Sequence, residues 1–498
     1  MAAEISKEDG VKIMSDRPEN ARRGRAAALE FFEDHVHQHL FNSSNQLSTY
    51  MKNSFNSKPK NGEETTALPR RTVFILEDIS TDFVEVLGFQ LQIEPMFFAQ
   101  QLWQSTWDNN RMGRKWFSLQ YPQLLSLNDD TLFEANGKLY CDSNVFRKFS
   151  LPGASLGLFD RVAVIHRRLS YWSEEDTFAI LLVDPPVGTY TIPNWSAPNR
   201  CSIPTPQKIP VACSPYEGGY VDVLKWPKEL IGTPASWDTA AAQVPPRTSL
   251  LDDILFYYRE TQQLNHQTTG CIADLTKKIA LSNWTNFQLY VRKHSTFLEY
   301  KLEEFQETHG SKKNFTGLQW LEQNIDHVNG WKRRCAHYCD YVETNLVELN
   351  VTPPHSLDMS TQTTNLNGCL QDWVILLGRL RMWKDRTAAI NSAVLNHLSI
   401  LESSKSLDEA RNSRLLAVLG TIFLPLSLTS SILSMGGDFL PGNRKFWIYF
   451  AVSLPLLVLG LLFSFGTAAV AEKARVVNTR FKQQSLPMWK KKNLVVRW

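Results

Sequence analysis

A mixed α/β domain, then long helices, then a C-terminal pair of membrane-spanning helices is the architecture this sequence predicts. Three observations predict it. Two apolar segments near the C-terminus carry no charge: residues 415–433 and residues 446–471, 19 and 26 residues long. As helices at 1.5 Å per residue they measure about 28 and about 39 Å, each suited to a hydrocarbon core of about 30 Å. Strand-type runs stop before residue 249, and charged segments with helical periodicity fill the stretch up to the first span.

The 498 residues leave room for two or three domains. A mean hydropathy of −0.26 and a hydrophobic fraction of 43% keep the membrane part a minority. Residues 1–69 mix Ser, Asn, Lys and Glu and read as a disordered N-terminal extension, with a short helix conceivable at 26–40. Residues 70–245 read as the α/β domain. Val73-Phe-Ile-Leu76 is a compact strand run, and residues 83–103 are helical with a break at Pro95. Residues 161–166 and 178–183 are strands, the second stopped by Pro185-Pro186, and the Pro-rich stretch to residue 246 implies long loops.

Residues 246–412 form the helical stalk region, with helices expected at 251–307, 315–350 and 370–411. In the last of these Trp373, Leu377, Leu380, Ile390, Val394, Leu398 and Leu401 recur at three and four. Ser406-Leu-Asp-Glu409 fits a capping box, so a helix could restart there. The transmembrane hairpin occupies residues 413–472, and 473–498 form a basic tail. From Glu472 onward, Lys473, Arg475, Arg480, Lys482, Lys490, Lys491, Lys492 and Arg497 face a single acid. The positive-inside rule keeps that tail cytosolic, and two spans return the N-terminal region to the same side. The expected protein is integral and multi-pass, with both termini in the cytosol.

A net charge of +3 does not point to a nucleic-acid partner, which would call for a concentrated basic face, and none is expected. There is no P-loop, nucleophile elbow or His-Glu-x-x-His helix, so neither enzymatic activity nor a cofactor is expected. Seven unevenly spaced cysteines make no disulfide framework. What stands out is the first span. Ser413, Ala417, Gly420, Thr421, Leu424, Ser427, Ser431 and Ser434 recur at helical spacing as a mostly small or hydroxylated stripe. Such a stripe either lets membrane helices pack closely or lines a pore.

Ile422-Phe-Leu-Pro-Leu-Ser427, followed by Ser434-Met-Gly436, a short loop and a second span, resembles the CorA-type magnesium and divalent-cation transporters. Leu76-Glu-Asp-Ile-Ser80, Leu87-Gly, Ile93-Glu-Pro-Met-Phe-Phe98, Leu182-Val-Asp-Pro185 and Leu251-Asp-Asp-Ile-Leu255 are similar, in order, to the large branch of that family found in fungi. The resemblance implies a CorA-like fold: a homopentamer with an α/β cytosolic domain, a long stalk helix continuing into a pore-lining first span, and an outer second span. It makes Leu416 and Leu424 apolar constrictions, puts Ser427 where the family has Thr, and sets Ser434, Met435, Gly436, Gly437 and Asp438 at the pore mouth. The family's Gly-Met-Asn is Ser-Met-Gly here, so Gly436 lacks the carboxamide that contacts a hydrated ion, and Asp438 is the candidate acid to meet the metal instead. The implied partners are the membrane, further copies of the chain and the transported cation. The function expected is passage of divalent metal ions, Mg²⁺ first. Zinc or another transition metal on the same fold, or a non-conducting membrane-anchored scaffold or sensor, are the competing readings.

Three further clusters offer candidate sites. Glu33-Asp-His-Val-His-Gln-His39, if helical, sets His35 and His39 on one face; metal binding is conceivable, but a solvated His-rich helix end is the favoured reading. Cys335 and Cys339 share a helical face and read as packing. Asp252-Asp253 suits a helix N-terminus, where carboxylates meet the positive end of the dipole.

Overall fold

The expectation of a disordered extension over residues 1–69 fails at Arg25. The computed structural model describes residues 24–32, 35–56, 71–102, 115–128, 139–141, 143–145, 147–151, 161–174, 177–186, 189–192, 207–210, 213–220, 245, 247, 249–260, 270–309, 315–352, 368–434, 442–460 and 462. Within them Arg25–Phe31 (β1) and Val36–Phe41 (β2) pair antiparallel, and helix α1 follows at Ser44–Asn56. The segment 26–40 is therefore a hairpin and not a helix. Its Ala-rich first half favours a helix by propensity, but tertiary packing overrides that preference. Ala26, Ala27 and Ala28 are each at most 2% exposed, covered on both faces of the sheet, where a small side chain lets neighbouring elements approach.

The remaining strands are Arg71–Glu77 (β3), Trp116–Leu127 (β4), Leu139–Cys141 (β5), Lys148–Ser150 (β6), Val162–Glu174 (β7), Phe178–Val183 (β8), Thr189–Ile192 (β9), Gln207–Pro210 (β10) and Cys213–Pro215 (β11). They join β1 and β2 in a mixed sheet of order β10-β9-β5-β6-β7-β8-β3-β1-β2, with β4 paired to β7 and β11. Only β3–β8 is parallel among the pairs of β1, β3, β7 and β8. β3 is the expected Val73–Leu76 run, and it is buried on both faces, as a central strand between β1 and β8 must be. Thr81–Leu91 (α2) and Pro95–Leu102 (α3) match the predicted helix with its break at Pro95, which opens α3 where its missing N–H costs nothing. With α1 they cover one face, packing Leu47, Met51, Phe83, Leu87, Phe97 and Phe98 against Phe74, Leu76, Ile180 and Leu182. Leu250–Glu260 (α4) meets β1 and β2: Tyr258 packs edge-on to Phe31 at 5.4 Å, and Gln38 donates to the Leu255 carbonyl at 2.8 Å.

Gly270–His309 (α5) and Phe315–Glu348 (α6) carry an aromatic core of Trp284, Phe287, Tyr290, His294, Trp331 and Tyr338. Phe287 meets Tyr338 edge-on at 4.5 Å, and His294 stacks on Trp331 at 5.1 Å. These helices also reach β4. Asn345 accepts from the Gln120 N–H at 2.9 Å and donates to the Gln120 carbonyl at 2.7 Å, so one carboxamide satisfies a strand residue as a neighbouring strand would. Cys335 and Cys339 are buried on α6, and burial pushes their thiols up to about 11 and about 12, which keeps them protonated and inert.

Gly368–Ser434 (α7) is one helix of 67 residues. The restart suggested by Ser406–Glu409 does not occur, because propagating an existing helix adds a hydrogen bond per residue whereas a new start needs a costly nucleus. Trp447–Gly460 (α8) follows. The chain divides into two compact units, Met1–Gly310 with Gln319–Leu395, and Ser311–Leu318 with Asn396–Trp498. In the first unit Trp373, Leu377, Leu380, Ile390 and Val394 of α7 are buried, on the periodic face the sequence predicts.

Candidate functional site

The second unit holds the apolar half of α7 and α8. By length and composition α7 is the one helix among the described residues fit to cross a membrane, and only 6% of its most apolar window is buried. Leu415, Leu416, Phe423, Leu424, Leu428 and Ile432 are more than half exposed, and so are Trp447, Phe450, Leu454, Leu459 and Leu462 beyond it. A water-facing surface this apolar is unfavourable at about 25 cal/mol per Å², so its natural surroundings are lipid or other protein. The described part of α8 is 14 residues, shorter than a span; residues 461 and 463–471 of the predicted second span lie outside the described residues.

α8 lies alongside α7. A Cβ added to Gly460 would sit 3.2 Å from the Thr421 Cγ2 and 3.9 Å from the Thr421 carbonyl oxygen. Thr421 is four residues before Pro425, which has no N–H to give that carbonyl, so a glycine here brings α8 beside an interrupted turn of α7. Thr429 at 5% exposure and Ser453 at 1% are the buried residues of this unit among those described. Val418, Ile422, Pro425, Leu426 and Leu433 are half-buried on the same side of α7 as Thr429.

The predicted stripe lies opposite. At about 100° per residue, Ser413, Ala417, Gly420, Leu424, Ser427 and Ser431 fall within an arc of about 80°, centred about 160° away from Thr429. All six are exposed, as are Leu416 and Ser434 at the edge of the arc; Leu416 and Leu424 reach 68%. Thr421, at the other edge, is half-buried toward Gly460. α8 therefore covers the Thr429 face of α7 and leaves the small, hydroxylated side, with the large apolar residues flanking it, open. The Thr421 and Ser434 hydroxyls donate to the Ala417 and Ser431 carbonyls, each at 2.8 Å. With the proton used inside the helix, their free lone pairs can only accept, which suits the O–H groups of a hydrated cation. Met435, Gly436, Gly437 and Asp438 lie outside the described residues.

In the first unit, the acids of the similar segments hold the fold together. Asp184, of Leu182-Val-Asp-Pro185, accepts from Arg147 Nε at 2.6 Å and Nη2 at 2.8 Å, from Gln101 at 2.9 Å and from the Arg168 N–H at 2.8 Å. Burial, with the nearby Arg147 charge second, pulls the Arg168 guanidinium down to about 10. Glu77, of Leu76-Glu-Asp-Ile-Ser80, accepts from Arg25 at 2.6 Å, and Arg25 also reaches Asp252 at 3.0 Å. Those bonds, the one to Glu77 foremost, raise the Arg25 guanidinium further above its ordinary value. Ser249 caps α4 by accepting from the Asp252 N–H at 3.3 Å and also donates to Glu77. Asp253 accepts from the Tyr220 hydroxyl at 2.9 Å and from the Arg247 N–H at 2.7 Å, yet burial still lifts its carboxyl to about 6. The helix-terminus reading of Asp252-Asp253 was incomplete: both also tie α4 to distant strands and loops, which sequence spacing does not reveal.

No protein-family model matches the chain, and no curated protein matches it in sequence. Among solved structures, the CorA magnesium transporter from Methanocaldococcus jannaschii aligns with 88% of this chain and 96% of its own, at 10% identity and a TM-score of 0.36. The full-length CmaX protein aligns over 91% of this chain and 99% of its own, at 12% identity and a TM-score of 0.36. The functional reading therefore rests on the residues of α7 and their surroundings.

Proposed function

We propose that the chain is an integral membrane transporter for divalent metal cations, Mg²⁺ first, working as a homopentamer whose α7 stripes face a central path. One observation carries the reading: the second helix covers the side of α7 opposite the stripe, leaving Ser413, Ala417, Gly420, Leu424, Ser427 and Ser431 uncovered within a single chain. A stripe used only to pack the hairpin would be buried by α8. Around a five-fold axis, Leu416 and Leu424 form apolar rings that close by dewetting, and the hydroxyl rings replace part of an ion's hydration shell.

At the mouth, Asp438 supplies carboxylates that the missing Asn cannot, holding the ion through its water shell as suits a cation that dehydrates reluctantly. In this reading the uncharged segment 446–471, whose described part includes α8, supplies the outer span, and both termini are cytosolic. The ion is cargo: no covalent chemistry and no resident cofactor enter the reading. A membrane potential adds about 2.3 kcal/mol per charge per 100 mV to inward movement, twice that for a divalent ion.

The test is ion flux into liposomes holding the purified protein, comparing Mg²⁺, Zn²⁺, Ni²⁺ and Co²⁺. Saturable Mg²⁺ entry that falls with Asp438→Asn is expected. Absence of flux for every ion, from a protein that remains folded, overturns transport; unchanged flux and selectivity in Asp438→Asn overturn the role of that acid alone.

A further inference from the structure

The histidine run expected on a helix is instead on a strand, and that changes what it can do. In β2 alternate residues share a face, so His37 and His39 point the same way, about 7 Å apart along the strand. β1 places Glu30 directly across from His37 on that face. The carboxylate oxygen and the two imidazoles each offer a ligand atom, and all three lie within 4.8 Å of one another.

We propose that Glu30, His37 and His39 form a binding site for a first-row transition metal ion, Zn²⁺ in type, on the β1–β2 hairpin. The Nε2 of His39 lies 3.0 Å from Glu30 Oε2. Two ligands of a tetrahedral zinc ion, at about 2.0–2.1 Å from the metal, stand about 3.3 Å apart, so this pair is already spaced as ligands and is bridged by a proton where an ion could bind. His37 is exposed, and its ring centroid lies 5.9 Å from that of His39. The Glu30 side chain is only 12% exposed, and its second oxygen accepts from the Tyr50 hydroxyl. That bond fixes the carboxylate's orientation as an outer partner of a metal ligand does. Tyr50 and Phe41 wall the site, with ring centroids 5.1 and 6.5 Å from that of His39, which limits water on that side.

The donor set selects the ion. Two imidazoles and one carboxylate suit zinc and its neighbours, whereas Mg²⁺ prefers an all-oxygen shell. Three protein ligands leave a fourth position for water. The site depends on none of the α7 residues and stands whether or not the chain conducts.

The experiment titrates the full-length, tag-free chain in detergent, stripped of metal, with Zn²⁺ by calorimetry and with Co²⁺ by visible absorption. The wild type is expected to bind one Zn²⁺ per chain that the His37→Gln/His39→Gln double variant lacks, and to give intense tetrahedral Co²⁺ bands that the variant does not. Tyr50→Phe, which keeps all three ligands, is expected to weaken that site about tenfold. A millimolar excess of Mg²⁺ is expected to leave the Zn²⁺ titration unchanged. Identical Zn²⁺ stoichiometry and affinity in wild type and double variant overturn the site, as does displacement by Mg²⁺. Should the double variant misfold by circular dichroism, Glu30→Gln takes its place: loss of the same equivalent supports the site and undiminished binding overturns it.

Discussion

Replacing Asp184 with Ala is the perturbation whose size follows most directly from the structure. Its carboxylate accepts four hydrogen bonds, from Arg147 twice, Gln101 and the Arg168 N–H, and it and Arg147 are 0% and 2% exposed at the side chain. Truncation leaves a buried guanidinium whose other acceptor is the Gln101 carbonyl at 2.8 Å. Removing one partner of a buried pair costs about 3–5 kcal/mol, and the orphaned backbone N–H adds to the same loss rather than summing independently. A chain of two compact units need not unfold in one step, so the assay is native-state hydrogen exchange of β7 and β8 amides in detergent. At 1.36 kcal/mol per tenfold, the expected acceleration is about 10²·² to 10³·⁷. The double variant Arg147→Met/Asp184→Leu removes both charges and is expected to recover most of the loss. Exchange in Asp184→Ala within tenfold of wild type, or a double variant no better than the single one, refutes the reasoning.

Four further outcomes are expected. The Asp253 carboxyl, lifted from 3.8 to about 6 by burial, binds its proton more tightly folded than unfolded, so its contribution is full below pH about 4 and lost as pH rises through about 6. Over that window the stability of wild type relative to Asp253→Asn should fall by about 3 kcal/mol, measured by exchange of α4 amides; a constant gap would contradict it. At Gly24 a Cβ would stand 2.4 Å from the Asp78 carbonyl oxygen and 2.9 Å from that of Glu77, so Gly24→Ala should cost about 1–3 kcal/mol and loosen the start of β1 in exchange experiments. Gly460→Leu should separate α8 from Thr421 and lower thermal stability in detergent by about 1–3 kcal/mol, with Gly460→Ala milder. Ser427→Leu, on the uncovered side of α7, should cut liposome flux while leaving thermal stability within about 0.5 kcal/mol, because it removes no contact with α8.

Local pattern carried much of this protein. The apolar length of α7, the strand runs of β3 and β8, the break at Pro95 and the periodic face from Trp373 to Val394 are properties of consecutive residues, and each appears where the chain itself specifies it. The stripe from Ser413 to Ser434 was legible for the same reason: a helix converts spacing directly into a face. Residues 25–41 form a hairpin against expectation because alanine's helix preference is local, whereas β1 gains its partners from β2 and from β3, forty or more residues away. Only the tertiary structure decided three things. It set α8 against the Thr429 side of α7 and so left the stripe uncovered. It turned Glu77, Asp184 and Asp253 into buried structural anchors whose partners lie far off in sequence. And it brought Glu30 across from His37, a pairing fixed by strand register, which one sequence does not disclose because register is set by the burial of whole faces rather than by any residue alone.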